Sequence, residues 1–313
     1  MTTAGECKNC GAALAGPYCS ACGQSADVRI PSVRGLLADV LGDLFNFDSR
    51  IWRSLVTLVL KPGRLTTAFL EGQRARYAPP FRMYLLASVA FFLLLSLLRA
   101  TAPPAASADN GGDVVGNAGA AARVGAPPTD DIAVADADPL VGIDIEDGKV
   151  SCKLDQDVTP AVRDRLVAVC ERIQKDGGVS YLRALAGNLP VMMLVFIPII
   201  AAIMRVLYLF ARRKYVEHLL FFAHVHTFFF VLGVAAALAW ALPRFTPVLV
   251  WPALIVTAAA AMWFLVYVYR AMRHVYAQGY ALTAVKYVVL GLSYVVALMY
   301  TLVATIVITA VTV

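Results

Sequence analysis

The chain has 313 residues, of which 60% are apolar and 15% charged, with a net charge of +6 and a mean hydropathy of +0.70. Soluble domains average about 45–50% apolar and about 25% charged, so this composition excludes a water-soluble enzyme of one or two domains, and equally a disordered or collagen-like chain. In so apolar a chain the basic excess asks first which side of a membrane the cations face, and only then whether nucleic acid is a partner.

Residues 1–27 form the first element. Cys7-Lys8-Asn9-Cys10-Gly11 and Cys19-Ser20-Ala21-Cys22-Gly23 are two C-x-x-C pairs, each followed by glycine. In such knuckles the N–H groups of the tight turn point at thiolate sulfur, and four thiolates at this spacing close a tetrahedral structural site around one zinc ion. The gap between the pairs leaves hardly any core except the metal, so the ribbon should be unfolded without it. Two disulfides are the alternative, disfavoured if this segment faces a reducing cytoplasm. A closed four-cysteine shell has no open position for water, so the expected role is structural. Zinc ribbons mostly hold partners or neighbouring segments, which points to a cytoplasmic protein partner. Lys8 is the only basic residue of the ribbon and no aromatic–basic stripe follows, so no nucleic acid is expected.

Residues 28–82 read as amphipathic helices on the inner face of the membrane. Ser32 is a plausible N-cap for Val33, Leu36, Leu37, Val40, Leu41, Leu44 and Phe45 at helical spacing. A second stripe, Ile51, Trp52, Leu55, Val56 and Val59, stops at Lys61-Pro62-Gly63. Trp and Phe on one face with Arg or Lys at its edges suit a membrane surface; packing on the span bundle as a cytosolic cap is the other reading, and the two are compatible. The order Cys22-Gly23-Gln24, Leu60-Lys61-Pro62-Gly63, Gly72-Gln73-Arg74-Ala75-Arg76-Tyr77-Ala78-Pro79-Pro80 resembles the DUF3667 family of uncharacterised bacterial membrane proteins, over about the first 85 residues. Tyr215-Val216-Glu217-His218-Leu219 also resembles a motif of these proteins. The resemblance implies a zinc-ribbon start and several spans, and no activity, substrate or catalytic residue.

Spanning a bilayer takes about 20 apolar residues. Five stretches qualify: residues 83–98, short and bracketed by Arg82 and Arg99, which can snorkel to the interfaces; 188–211, interrupted only by Arg205; 219–243; 245–269; and 287–313. The expected fold is therefore an all-α polytopic membrane protein of about five transmembrane helices behind a small four-cysteine zinc ribbon, with residues 185–313 forming a four-helix membrane region. Ten of the 27 basic residues precede Met83, and Arg212-Arg213-Lys214, Arg270, Arg273 and Lys286 follow the second and fourth spans. The positive-inside rule then places the N-terminus in the cytoplasm and the C-terminus in the periplasm of a bacterial inner membrane.

Residues 99–184 form the acidic loop on the outer side, holding 14 of the 21 acidic residues. Its Ala/Gly/Asp/Pro-rich part, to Pro139, has too little apolar surface to order. Leu140 to Leu154 has short apolar, strand-like runs, and Val162, Leu166, Val169 and Ile173 line one face of a helix started by Thr159-Pro160. Cys152 and Cys170 could close a disulfide in an oxidising periplasm, or stay as two thiols.

Glu217, His218, His224 and His226 gather at the start of the third span. At about 100° per residue Glu217 and His224 share a face, whereas His224 and His226 point almost oppositely, so the four cannot surround one metal from this helix alone. One reading is a proton-relay or transport site, Glu217 with His224; another is a haem or metal site completed by His274 or another helix. In the third, Glu217 pairs with a cation of Arg212-Arg213-Lys214 while the histidines hydrogen-bond neighbouring helices. Arg205 is expected to snorkel or to pair with Glu217. No Gly-rich phosphate loop or nucleophile triad is present, so no enzyme is expected; the leading function is a scaffold recruiting a partner through the ribbon, the alternative a small transporter using the Glu/His cluster.

Overall fold

The computed structural model describes residues 5–27, 49–101, 141–146, 149–154, 179–244 and 246–312. Seven α-helices lie among them: α1 Ser49–Leu60, α2 Arg64–Leu70, α3 Pro80–Ala100, α4 Val179–Leu207, α5 Tyr215–Ala241, α6 Val250–Tyr276 and α7 Tyr280–Thr312. The last five, α3 to α7, are long and apolar enough to cross a membrane. The chain is thus a multi-pass membrane protein whose membrane part is all-α, behind a cluster of four cysteines near its N-terminus. A bilayer leaves no water to satisfy backbone groups, which is why such apolar stretches settle as helices.

The helices overrun the apolar windows that the sequence marks. α3 begins at Pro80, whose missing N–H costs nothing in a first turn. Arg82 is therefore inside the helix and only 2% exposed, so it does not snorkel; its Nε and Nη2 have no partner among the described residues. α4 starts at Val179 and runs through Pro190 and Pro198 without a break between elements. α6 continues to Tyr276 and α7 starts at Tyr280, which puts Arg270, Arg273 and Lys286 on helices and not in a loop. Charge reports where hydrocarbon ends, whereas a helix ends at a conformational break. For α6 that break is Ala277, at φ 50°.

The described residues divide into two compact units: one runs to Ala100 and resumes at Gly187–Val307, the other comprises Thr101–Ala186 and Ile308–Val313. In the second unit, β1 Val141–Glu146 and β2 Lys149–Leu154 pair antiparallel, with Val141 opposite Leu154, Ile143 opposite Cys152 and Glu146 opposite Lys149. Cys170, and hence its bond to Cys152, lies outside the described residues, as do the helix expected over 33–45, the helix after Thr159-Pro160, and the low-complexity part of the loop.

In the first unit α5 is the central helix. Its sequence from Glu217 to Phe228 is buried on every side, which fits a helix apolar all round. It packs most extensively on α3. The two approach closely at Gly233, where a Cβ would come within 2.7 Å of the Phe91 ring. Phe91 and Phe92 in turn meet Phe230, with ring centroids 5.5 and 5.8 Å away. On its other sides Phe228 stacks on Tyr267 of α6 at 3.8 Å, and Phe196 of α4 meets Tyr294 of α7 at 4.8 Å. Val89, Leu93, Ile255, Met262, Leu292 and Val296 remain exposed on the outer helices, as lipid-facing residues should.

At one end of α5 sits a cap built from α1, α2 and the segment leading into α3. Lys61-Pro62-Gly63 ends α1 as the sequence implies. Gly63 then opens α2 at φ 77°, and a Cβ there would lie 2.9 Å from the Ala271 carbonyl oxygen and 3.2 Å from His274 Cβ. Only glycine fits both demands. α1 splits the apolar stripe expected of it. Ile51, Leu55 and Val59 pack with buried Leu58 against the core, whereas Trp52, Val56 and Leu60 form a separate exposed line at i, i+4, i+8. The helix is thus both a cap and a carrier of an outward apolar edge. Ser54 Oγ accepts the Ala78 N–H at 2.9 Å, which ties α1 to the start of α3.

Candidate functional site

The ribbon is a twofold repeat offset by twelve residues, which brings Cys7 onto Cys19 and Cys10 onto Cys22. Each half closes the same way. Cys7 N–H donates to Ala12 O and Gly11 N–H to Cys7 O; Cys19 N–H donates to Gln24 O and Gly23 N–H to Cys19 O, all at 2.8 Å. Gly11 and Gly23 stand at φ 77° and 72°, a left-handed turn that an L side chain resists. The glycine after each pair is thus required by the backbone. Isolated bridges, Glu6 to Ala13 and Tyr18 to Ser25, finish the two hairpins.

The four Sγ atoms lie within 4.8 Å of one another, with Cys7–Cys22 and Cys10–Cys19 each at 3.6 Å. A tetrahedral thiolate ion with metal–sulfur bonds of about 2.3 Å needs sulfurs about 3.8 Å apart, so the cluster fits a metal. Among the described residues no other group of three His, Cys, Asp or Glu ligands converges in this way. The backbone N–H of Gln24 and the Asn9 side chain hold the Cys22 thiol down at about 6. Cys10 receives the same help from Ala12, but the neighbouring Cys22 and Cys19 thiols outweigh it and push Cys10 up to about 12. Four thiolates cannot share so small a volume without a cation to offset them.

Gln24 also fastens the ribbon to the cap. Its Nε2 donates to Gly72 O at 2.8 Å, and its Oε1 accepts the N–H groups of Arg74 at 2.9 Å and Ala75 at 3.0 Å. The side chain is 6% exposed. Two of the motifs that carry the family resemblance, Cys-Gly-Gln and Gly-Gln-Arg-Ala, are thus the two halves of one clasp. Beside it opens a cleft of about 670 Å³ lined by Asn9, Cys10, Cys22, Arg53, Ala75 and Arg76.

The Glu/His cluster resolves into separate contacts. Glu217 pairs with Arg213 at 3.0 Å and its Oε1 accepts the Lys214 N–H at 3.2 Å, which caps the first turn of α5. Arg205 does not reach Glu217; its guanidinium donates to the Arg213 carbonyl. Each buried histidine meets a hydroxyl from a different element. His218 Nδ1 is 2.7 Å from Tyr276 OH on α6, His224 Nδ1 is 3.0 Å from Thr66 Oγ1 on α2, and His226 Nε2 is 3.3 Å from Tyr294 OH on α7. His226 Nδ1 lies 2.9 Å from the Phe222 carbonyl, which can only accept, so Nδ1 donates and in a neutral ring Nε2 accepts from Tyr294. The imidazoles of His218 and His224 each keep a buried Nε2 without a partner among the described residues. His274 stands apart, 3.4 Å from Thr67 Oγ1.

Sequence reasoning missed Gln24, Thr66, Tyr276 and Tyr294 as partners. Gln24 had a signal, a polar residue directly after a knuckle glycine; the other three are hydroxyls among apolar helical residues and carry none. A family model described as Protein of unknown function (DUF3667) matches residues 48–92, the family that the motifs resemble. No curated protein and no solved structure matches the chain.

Proposed function

We propose that this is a non-enzymatic protein of the bacterial inner membrane that binds one structural zinc ion at Cys7, Cys10, Cys19 and Cys22 and recruits a cytoplasmic protein partner to the ribbon. The N-terminus is cytoplasmic and the C-terminus periplasmic. A tetrahedral set of four thiolates favours zinc among common metals. The observation that carries the reading is the Gln24 clasp: it fixes the ribbon on the cap in one pose, with Tyr18 67% exposed and the Arg53/Arg76 cleft open beside it. A ribbon needed only as a fold nucleus would have no use for such a mount. The two arginines favour a partner with an acidic segment.

The test is co-purification from membranes. Cys7→Ser with Cys10→Ser should remove one zinc per chain and the bound partner while leaving membrane insertion intact. An unchanged set of partners would sink the recruitment reading. Topology is read by a reporter after Val313, which a cytoplasmic signal would contradict.

A second reading, a small proton-coupled transporter, draws on the unpartnered Nε2 atoms of His218 and His224 inside the bundle. It requires that His224→Ala abolish a measurable flux of protons or solute in liposomes; a flux equal to wild type removes it.

A further inference from the structure

We propose that the cleft between the Pro62 turn and the last turns of α6 binds the phosphate of an anionic phospholipid in the leaflet on the ribbon side. This goes beyond the recruitment reading and does not depend on it. The cleft has a volume of about 550 Å³ and is lined by Pro62, Arg270, Arg273, His274 and Ala277, with no carboxylate. Its walls are fixed. Gly63 packs on Ala271 and His274, and His274 Nε2 meets Thr67 Oγ1 at 3.4 Å.

The two guanidiniums are held by aromatic faces. Arg273 lies 3.5 Å from the Tyr280 ring centroid and Arg270 lies 6.0 Å from that of Trp263. A guanidinium stacked on a ring keeps its N–H edge free, and that edge matches phosphate oxygens in bidentate fashion. The nearest acid on α5, Glu217, is taken by Arg213 and the Lys214 N–H. Cations at the end of α6 also suit its dipole and mark sidedness, but neither role needs the aromatic shelves or the cleft.

The surroundings select a lipid over free phosphate. Met262 and Val266 lie two turns and one turn before Arg270 on the same face of α6, 64% and 37% exposed. Across the Pro62 turn, Leu60 is 67% exposed. A headgroup at the arginines would run its acyl chains along this apolar line. Basic pockets at the ends of spans are the recognised way to hold anionic headgroups.

The test uses the full chain in nanodiscs of phosphatidylcholine doped with phosphatidylglycerol, followed by native mass spectrometry of lipids retained in mild detergent. Wild type should retain phosphatidylglycerol and not phosphatidylcholine, and inorganic phosphate should not displace it. R270Q with R273Q should weaken retention about 30-fold, whereas R53Q with R76Q, at the other basic cleft, should leave it unchanged. R270K with R273K keeps the charge but loses the planar edge, and should weaken retention by a smaller factor; it decides the matter alone if the glutamine pair fails to fold. Wild-type retention in either α6 pair, equal loss in the Arg53/Arg76 pair, or displacement by inorganic phosphate would each overturn the proposal, the last by showing a soluble-phosphate site.

Discussion

Gln24 reaches Gly72 across 47 intervening residues, its carboxamide donating to one backbone carbonyl at 2.8 Å and accepting two N–H groups in return. Gln24→Ala removes three hydrogen bonds, but the Arg74 N–H and the Gly72 carbonyl keep their bond to each other at 3.0 Å, so the Ala75 N–H bears most of the loss and docking should weaken by about 1–3 kcal/mol. The metal cluster is untouched by the change. The expected outcome is a ribbon that keeps its metal yet exchanges the Arg74 and Ala75 amides faster and is released by limited proteolysis. Loss of metal together with docking would show that the clasp and the knuckle fold as one.

Gly63 and the two knuckle glycines make a graded set. All three have positive φ, but a Cβ at Gly63 meets the Ala271 backbone at 2.9 Å, whereas Gly11 and Gly23 have nothing within 4 Å. Gly11→Ala and Gly23→Ala should therefore cost only the backbone preference, about 1–2 kcal/mol each. Gly63→Ala adds a clash against backbone that cannot rotate away, which separates α2 from α6 and should cost at least about 3 kcal/mol. Thermal unfolding in detergent should rank Gly63→Ala well below the other two.

The five spans were legible from composition, because a bilayer allows an apolar stretch no alternative to helix. Their ends were not. Arg270, Arg273 and Lys286 break the hydropathy pattern while the backbone continues past them to Ala277 or back to Tyr280. The knuckle was legible because two short spacings determine its whole geometry. The Glu/His cluster shows the opposite case: angles on one helix showed which side chains could not meet, but Tyr276, Thr66 and Tyr294 come from three other elements. Nothing local in the sequence marks such partners. The pairing of β1 with β2 falls on the short apolar, strand-like runs between Leu140 and Leu154.

Thr66 and His224 offer a direct measure of what holds the cap to the bundle. Their contact, 3.0 Å and fully buried, joins α2 to the central helix. Interhelical side-chain bonds in membrane proteins average about 0.6 kcal/mol and reach about 1.7. A cycle of Thr66→Val, His224→Phe and the double variant should give a coupling energy in that range. A coupling near zero would mean that apolar packing by Leu65 and Ala68 holds the cap unaided.

Acid should strip the metal, and the thiols set the direction. A thiol whose pKa is lowered in the fold favours the folded state above its unfolded value, about 8.5, and that contribution is lost as pH falls through the folded value. Cys22, at about 6, is such a group; Cys10, raised to about 12, acts oppositely and favours the protonated fold until pH rises towards that value. Metal reverses the Cys10 effect by demanding its thiolate, so binding at neutral pH must release a proton from Cys10 and little from Cys22. In the presence of a chelator the ribbon should lose its ion as pH falls, because release requires the bound thiolates to be protonated. Gln24→Pro removes the N–H that lowers Cys22 and should move that loss to higher pH, while Gln24→Ala, which keeps the N–H, should not. Coincident release curves for the two variants would show that the amide does not govern the site.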